Sequence, residues 1–277
     1  MMLYKYPSVL TIAGSDSGGG AGIQADLKTI SALGCFGTTA ITAITVQNTR
    51  GVTAIHSVPA AVVGGQIKAV LTDIIPAAIK IGMVHSLELV ETIAQVLKSY
   101  PEIPIILDPV MVATSGDKLI QDDTIMGLKT SLFPISALIT PNLDEASILA
   151  NMPIHTIADM RIAGVKIMNL GCKAVLLKGG HLKSTQLTSV YFRADGKVKE
   201  FTFNRVDTNN THGSGCTLSS AIASFLAQGL DLGLAIAKAQ NYVNQAIIYG
   251  QDVKTGMGNG PLNHFFNPLK LIKNEMV

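Results

Sequence analysis

Short runs of β-branched and aliphatic residues recur along this chain with helical patterns between them, and that alternation limits the fold more than any other feature. The runs are VLTIA (9–13), TTAITAITV (38–46), AIKIGM (78–83), IPIILDP (103–109), ALIT (137–140) and AVLLK (174–178). Apolar stretches without strict alternation suit strands covered on both faces. Between them, Ile23, Leu27 and Ile30 repeat at helical spacing. Val90, Ile93 and Leu97 do the same behind Ser86 as an N-cap, and Ile162, Val165 and Met168 behind a capping-box pattern from Thr156 to Asp159. A βαβ series of this kind predicts an α/β fold, a doubly wound and mainly parallel sheet with helices on both faces.

The pattern changes in the C-terminal third. Residues 187–206, LTSVYFRADGKVKEFTFNRV, read as a small β-hairpin turning at Asp195-Gly196. Two helices follow: one opens after Gly213 and buries Leu218, Ile222 and Phe225, and the next carries Leu232, Ile236, Ala239 and Val243. At roughly 150 residues per domain the length would allow two domains. No internal repeat, low-complexity block or linker interrupts the 277 residues, so 1–277 is read as a single domain.

Composition removes several function classes. Only 14% of residues are charged, and residues 29–49 carry no charge over a membrane-spanning length. That stretch holds Gly34, Gly37 and many Thr, Ser, Gln and Asn, so it reads as a helix end, a turn and a buried strand. No basic, apolar and small-residue series marks a secretory signal, and the expected location is the cytoplasm. Cys35, Cys172 and Cys216 are odd in number and never C-x-x-C, which argues against disulfides, zinc or a redox pair. A formal charge of +2 without a basic run excludes a nucleic-acid stripe.

Ligands of such sheets bind outside the carboxyl ends of the strands. The first strand leads into GSDSGGGAGIQADLKT (14–29), whose glycines let backbone approach a ligand, or merely make a tight turn. Asp16 and Asp26 are its candidate polar contacts, although Asp26 also fits a solvated helix carboxylate. Asp108 ends an apolar strand, and Glu145 lies just inside the helix after Thr140-Pro141-Asn142. Two carboxylates at neighbouring strand ends can hold Mg²⁺ through water, while Glu145 equally fits a cap on Asn142. In NTHGSGCTLSSAIASF (210–225), Gly213, Ser214 and Gly215 leave the first N–H groups of a helix free for an anion. Cys216 lies in that first turn, where the helix field is expected to lower its pKa unless it is a core residue. Lys178 ends a strand before Gly179-Gly180 and can steady a polyphosphate or be a surface lysine. His181 and His212 read as turn residues that hydrogen-bond locally rather than as metal ligands.

Seven segments in order, among them TIAGSDSGGGAGIQADLKT (11–29), ITAITVQNTRGV (41–52), DPVMVATSGDKL (108–119), ITPNLDEA (139–146) and NTHGSGCTLSSAIA (210–223), carry a resemblance across nearly the whole chain. They resemble the hydroxymethylpyrimidine/phosphomethylpyrimidine kinases of thiamine biosynthesis, in the ribokinase-like superfamily. The resemblance implies a ribokinase-like fold and an enzyme that uses MgATP to phosphorylate 4-amino-5-hydroxymethyl-2-methylpyrimidine, then phosphorylates the monophosphate. It implies that Gln47 hydrogen-bonds the pyrimidine, with Gly14, Asp26, Met83 and Val110 completing the pocket. It places Asp108 and Glu145 near Mg²⁺, Asn142, Lys178 and Thr211 at the nucleotide, and Gly213, Ser214, Gly215 and Cys216 in the anion hole. It also implies a homodimer. Pyridoxal kinases are the nearest alternative; a subgroup carries a second cysteine where this chain has Ala113. A pyrimidine-binding module without turnover is the alternative from another class.

Overall fold

The computed structural model describes residues 2–111, 120–180 and 185–276. Its strands are β1 (Tyr4–Lys5), β2 (Ser8–Asp16), β3 (Phe36–Asn48), β4 (Gly51–Ser57), β5 (Ala78–Ile81), β6 (Ile105–Leu107), β7 (Leu138–Ile139), β8 (Ala174–Leu177), β9 (Gln186–Arg193), β10 (Val198–Asn204) and β11 (Asn274–Glu275). The helices are α1 (Gly22–Ala32), α2 (Ala60–Asp73), α3 (Leu87–Leu97), α4 (Asp122–Gly127), α5 (Leu143–Ala150), α6 (Ile157–Met168), α7 (Ser214–Ala227) and α8 (Leu232–Ile248).

Nine strands form one sheet in the order β10-β9-β8-β7-β6-β5-β2-β3-β4. The six from β3 to β8 run parallel, β4 pairs antiparallel at one edge, and the β9–β10 hairpin closes the other. The period of two sends alternate side chains to opposite faces. Leu10, Ile12, Ile79, Ile81, Ile105 and Leu107 pack under α2, α3, α5 and α6. Val9, Ala78 and Ile106 pack under α1, α7 and α8. From β2 the chain moves to β3 on one side and then returns to β5 on the other, so the sheet reverses direction around β2. A ligand crevice belongs beside such a reversal.

Helix starts follow their caps. Ser86 accepts from the Leu89 N–H, and Thr156 with Asp159 forms the expected capping box. The buried face of α6 differs from the one read in the sequence. Ile162 and Val165 are exposed, and Met160, Ala163 and Ile167 face the sheet, because the small Ala163 and Gly164 let the helix sit close to Phe192. The uncharged stretch is also less buried than expected. The middle of β3, from Thr38 to Ala43, is largely covered, while Phe36 at its start and Ile44 and Val46 near its end are exposed. Strand β4 and helix α2 escaped the pattern reading, since β4 is exposed throughout and α2 carries Gly64-Gly65 in its middle. Among the described residues, no helix is long and apolar enough to cross a membrane.

Candidate active site

The carboxyl ends of β2, β3, β5, β6, β7 and β8 bring the candidate residues to one edge of the sheet. Asp108 follows β6, and its Oδ1 accepts from Lys178 Nζ at 2.7 Å and from Thr140 Oγ1 at 3.1 Å. Lys178 follows β8; burial alone would push its ammonium down, but Asp108 and Glu145 hold it above the ordinary value. Helix α7 begins against this pair. A Cβ on Gly215 would lie 3.2 Å from Lys178 Nζ and 3.4 Å from Asp108 Oδ2. No side chain caps α7 at Gly213, and its first turn holds no acid. The Ser214 N–H is already given to the Thr211 carbonyl at 3.1 Å, but the rest of the first turn, the helix dipole and a lysine converge where an anion would be stabilised.

Glu145 sits beside the pair as the third charged group. It makes the cap that its sequence context allowed: its Oε2 accepts from the Asn142 N–H at 2.8 Å, and Asn142 Oδ1 accepts from the Glu145 N–H at 2.9 Å. Burial, partly offset by Lys178 and reinforced by Asp108, raises its carboxyl to about 7. Two carboxylates thus share one lysine. Among the described residues, no group of three or more His, Cys, Asp or Glu forms a ready metal cage. Asp108 and Glu145 instead fit a hard cation that brings phosphate oxygens and waters as its other ligands.

Cys216 lies in the first turn of α7, but its thiol is not lowered as expected. Burial pushes it up to about 11; Lys80 pulls it down, while Asp26 and Asp108 add to the rise. Removing solvent from the thiolate outweighs what the helix terminus supplies. The resting group is therefore a thiol at neutral pH.

Asp26 is not open to a ligand in this structure. Its side chain is fully buried, and it accepts from Lys80 Nζ at 3.0 and 2.8 Å, from Thr11 Oγ1 at 2.6 Å and from Ser220 Oγ at 2.7 Å. Ser220 is one helical turn beyond Cys216, so this network underlies the anion hole rather than lining the pocket. Lys80 was missed in the sequence reading, although a lysine inside the apolar run AIKIGM was a usable sign.

The substrate side of the crevice collects Gly14, Met83, Val110 and Gln47. A Cβ on Gly14 would meet Met83 Cε at 2.9 Å, so the glycine gives the thioether its place. Val110 follows Asp108 and is partly buried. Gln47, near the end of β3, is held by its backbone to Ser17. Asp16 organises the glycine loop, with Oδ1 accepting from Gly18 N–H and Oδ2 from Gly20 and Ala21 N–H. Gly213 has φ +83°, and a Cβ there would overlap the carbonyl of Gly20, so the loops before α1 and α7 interlock.

His212 is not the locally bonded turn residue that the sequence implied. Its Nε2 lies 3.0 Å from Asp16 Oδ2 and 3.3 Å from Gln47 Nε2, partners 196 and 165 residues away. Only tertiary structure could reveal those contacts. Thr211 is exposed at the same loop. His181 and Ala113 lie outside the described residues.

Comparison with known proteins places this geometry in a family. The family model described as phosphomethylpyrimidine kinase matches residues 16–263. A hydroxymethylpyrimidine/phosphomethylpyrimidine kinase of Rhizobium meliloti (strain 1021) is 48% identical over 257 residues, 92% of this chain and 96% of its own. The crystal structure of phosphomethylpyrimidine kinase from Clostridium difficile 630 is 42% identical with a TM-score of 0.77, covering 87% of this chain and 99% of that one. Bacillus subtilis pyridoxal kinase, solved as an ADP complex, is 33% identical with a TM-score of 0.86, covering 94% and 98%. With a ribokinase-like sheet, an uncapped helix start against Asp108 and Lys178, and this similarity over nearly its whole length, the chain belongs to the phosphomethylpyrimidine kinase family.

Proposed function

We propose that the chain transfers the γ-phosphoryl group of ATP to the hydroxymethyl oxygen of 4-amino-5-hydroxymethyl-2-methylpyrimidine, and then a second phosphoryl group to the monophosphate, supplying the diphosphate for thiamine biosynthesis. The observation that carries this reading is the start of α7 facing Asp108 and Lys178. Phosphoryl transfer asks a protein mainly for positioning and charge neutralisation, and this arrangement provides both.

In this reading Gln47, Gly14, Met83 and Val110 hold the pyrimidine, and Asp26 acts from beneath by fixing Lys80 and Ser220. Asn142, Lys178 and Thr211 attend the nucleotide. The N–H groups of Gly213, Gly215 and Cys216 donate to the transferring oxygens, while that of Ser214 is held by the Thr211 carbonyl. Mg²⁺, when bound, neutralises phosphate charge, and Asp108 and Glu145 would hold it through water. Cys216 receives the hydroxyl proton in the first transfer. Because the thiol rests protonated, that role is carried by a small thiolate fraction that grows with pH. The second acceptor is already a phosphate and needs no such base.

We place the enzyme in the cytoplasm as one kinase domain, working on small molecules and neither nucleic acid nor membrane. Three free thiols, Cys35, Cys172 and Cys216, agree with a reducing compartment. We also place it as a homodimer: edge strand β4 is exposed throughout, with Val52 and Ile55 on one face of the β3–β4 edge and Ile44 and Val46 on the other, an apolar edge that a second copy would cover.

The test compares kcat/KM for hydroxymethylpyrimidine, its monophosphate and pyridoxal on one preparation. The pyrimidines should be preferred over pyridoxal by at least about tenfold, the low end of what the fit of a single group in a pocket discriminates. Preference for pyridoxal would reassign the substrate, and tight pyrimidine binding without ADP release would indicate a silent module.

A further inference from the structure

The contact of His212 with both Asp16 and Gln47 has only one consistent hydrogen-bond pattern. Burial pushes the Asp16 carboxyl up, but the hydrogen bond from His212 and those from the Ala21 and Gly18 N–H groups outweigh it and leave the group below its ordinary value. Asp16 is therefore an ionised acceptor. The imidazole nitrogen facing its Oδ2 at 3.0 Å must carry the hydrogen.

That same Nε2 is 3.3 Å from the end of the Gln47 amide. A nitrogen that donates to Asp16 has no lone pair left for an amide N–H. An NH2 group there would set donor against donor, so the amide oxygen belongs on the His212 side. The other flank then turns NH2 toward Thr45 Oγ1, 3.1 Å away. Thr45 accepts it without loss, because its own hydroxyl hydrogen goes to the Ser15 carbonyl at 2.9 Å. Ser17 holds the Gln47 backbone from both sides, donating to its carbonyl and accepting from its N–H, so the direction of the amide is the remaining freedom. The imidazole cannot easily turn away, since its ring lies against Gly20, where a Cβ would come within 3.2 Å of Nε2.

We propose that His212 is a specificity-determining positioning residue: its Nε2–H, anchored on Asp16, fixes the direction of the Gln47 amide and so the order in which donor and acceptor are offered to a heterocycle. The inference rests on reading Gln47 as the residue that meets the pyrimidine edge. With its flanks taken by His212 and Thr45, the amide presents one carbonyl lone pair beside one N–H. A 4-aminopyrimidine edge, an exocyclic amine beside a ring nitrogen, matches that pair in one order. A 4-oxopyrimidine edge, a carbonyl beside a ring N–H, matches it in the reverse order.

The experiment compares kcat/KM for hydroxymethylpyrimidine and its 4-oxo analogue in the wild type, His212→Leu and His212→Gln. Leucine removes the donor, whereas the glutamine NH2 can donate to Asp16 and to Gln47 together. Discrimination against the 4-oxo analogue should fall at least about tenfold in H212L, the scale of one lost hydrogen bond to a charged group, and return in H212Q. Unchanged discrimination in a folded H212L would overturn the proposal. A wild type that turns over neither pyrimidine would refute the substrate reading instead, and the two failures are therefore distinct. Independently of activity, and whether or not H212L folds, ¹⁵N spectra of histidine-labelled wild type should show His212 with hydrogen on Nε2; a hydrogen-free Nε2 at neutral pH would overturn the proposal.

Discussion

Two carboxylate–lysine clusters lie within one layer of each other and differ in completeness. Beneath α7, Asp26 receives hydrogen bonds from Lys80, Thr11 and Ser220, and both charged side chains are wholly buried. Charge balances one to one, and Asp26 holds the Lys80 ammonium above its ordinary value against the pull of burial. At the strand ends, Asp108 and Glu145 share Lys178, which remains 16% exposed. Here the charge does not balance, and burial, only partly offset by Lys178 and reinforced by Asp108, raises the Glu145 carboxyl to about 7. A closed cluster can support structure without a ligand, whereas the surplus of negative charge in the open one is completed by cations and phosphates. The difference separates a foundation from a working site, although both are built from carboxylates around one lysine.

The largest effect should come from breaking the closed cluster. Lys80→Met strands a buried carboxylate and should lower unfolding free energy by about 3–5 kcal/mol in denaturant titrations. K80M with D26N, which removes both charges, should recover most of that loss; if it recovers none, the pair is not the reason for the effect. The open cluster should differ in activity. Lys178→Met also leaves a buried carboxylate, since the Asp108 side chain is 3% exposed and keeps only Thr140, so it should lower stability by up to about 3–5 kcal/mol. In addition it should reduce kcat by about 10²–10³. A loss confined to stability would erase the contrast between the two clusters.

Cys216 joins the clusters, with Lys80 and Asp26 below and Asp108 beside it. Cys216→Ala should slow the first transfer about 10²-fold in single-turnover experiments and the second far less. The wild-type first step should also quicken as pH rises from neutrality toward 11, a dependence that C216A lacks. Equal losses in both steps would remove the cysteine from the first. The smallest effect concerns Glu145. Its folded carboxyl holds a proton more tightly than the unfolded one, so the stability it contributes is complete below 4.5 and lost as pH rises through about 7. The stability difference between Glu145→Gln and wild type should therefore grow over that window, by about 1–3 kcal/mol, and level off above it.

The sheet, its hairpin and the helix after Gly213 were legible because continuous β-branched apolar runs, Asp195-Gly196 and the capping and glycine positions each act locally. The same holds for Asp108, Lys178 and Gly215, which strand ends and a glycine-rich helix start bring forward. What stayed hidden depends on distance and dielectric. Asp26 looked available because helical spacing cannot show that Lys80 reaches it from β5. Cys216 looked acidic because the helix terminus is visible in sequence and the desolvation around the thiol is not. His212 looked local because Asp16 and Gln47 reach it only across folded loops. The face of α6 was misread by one position, since the hydrophobic Ile162 and Val165 carry the pattern while the small Ala163 and Gly164 make the contact.

The most direct measurement follows a single turnover of hydroxymethylpyrimidine with ATP labelled on the γ-phosphate. Label should appear first in the monophosphate and then in the diphosphate, and Lys178→Met should slow this time course by about 10²–10³ in a protein that still unfolds cooperatively. ADP formation without labelled pyrimidine, or an undiminished time course in K178M, would contradict the assignment of the open cluster as the site of phosphoryl transfer.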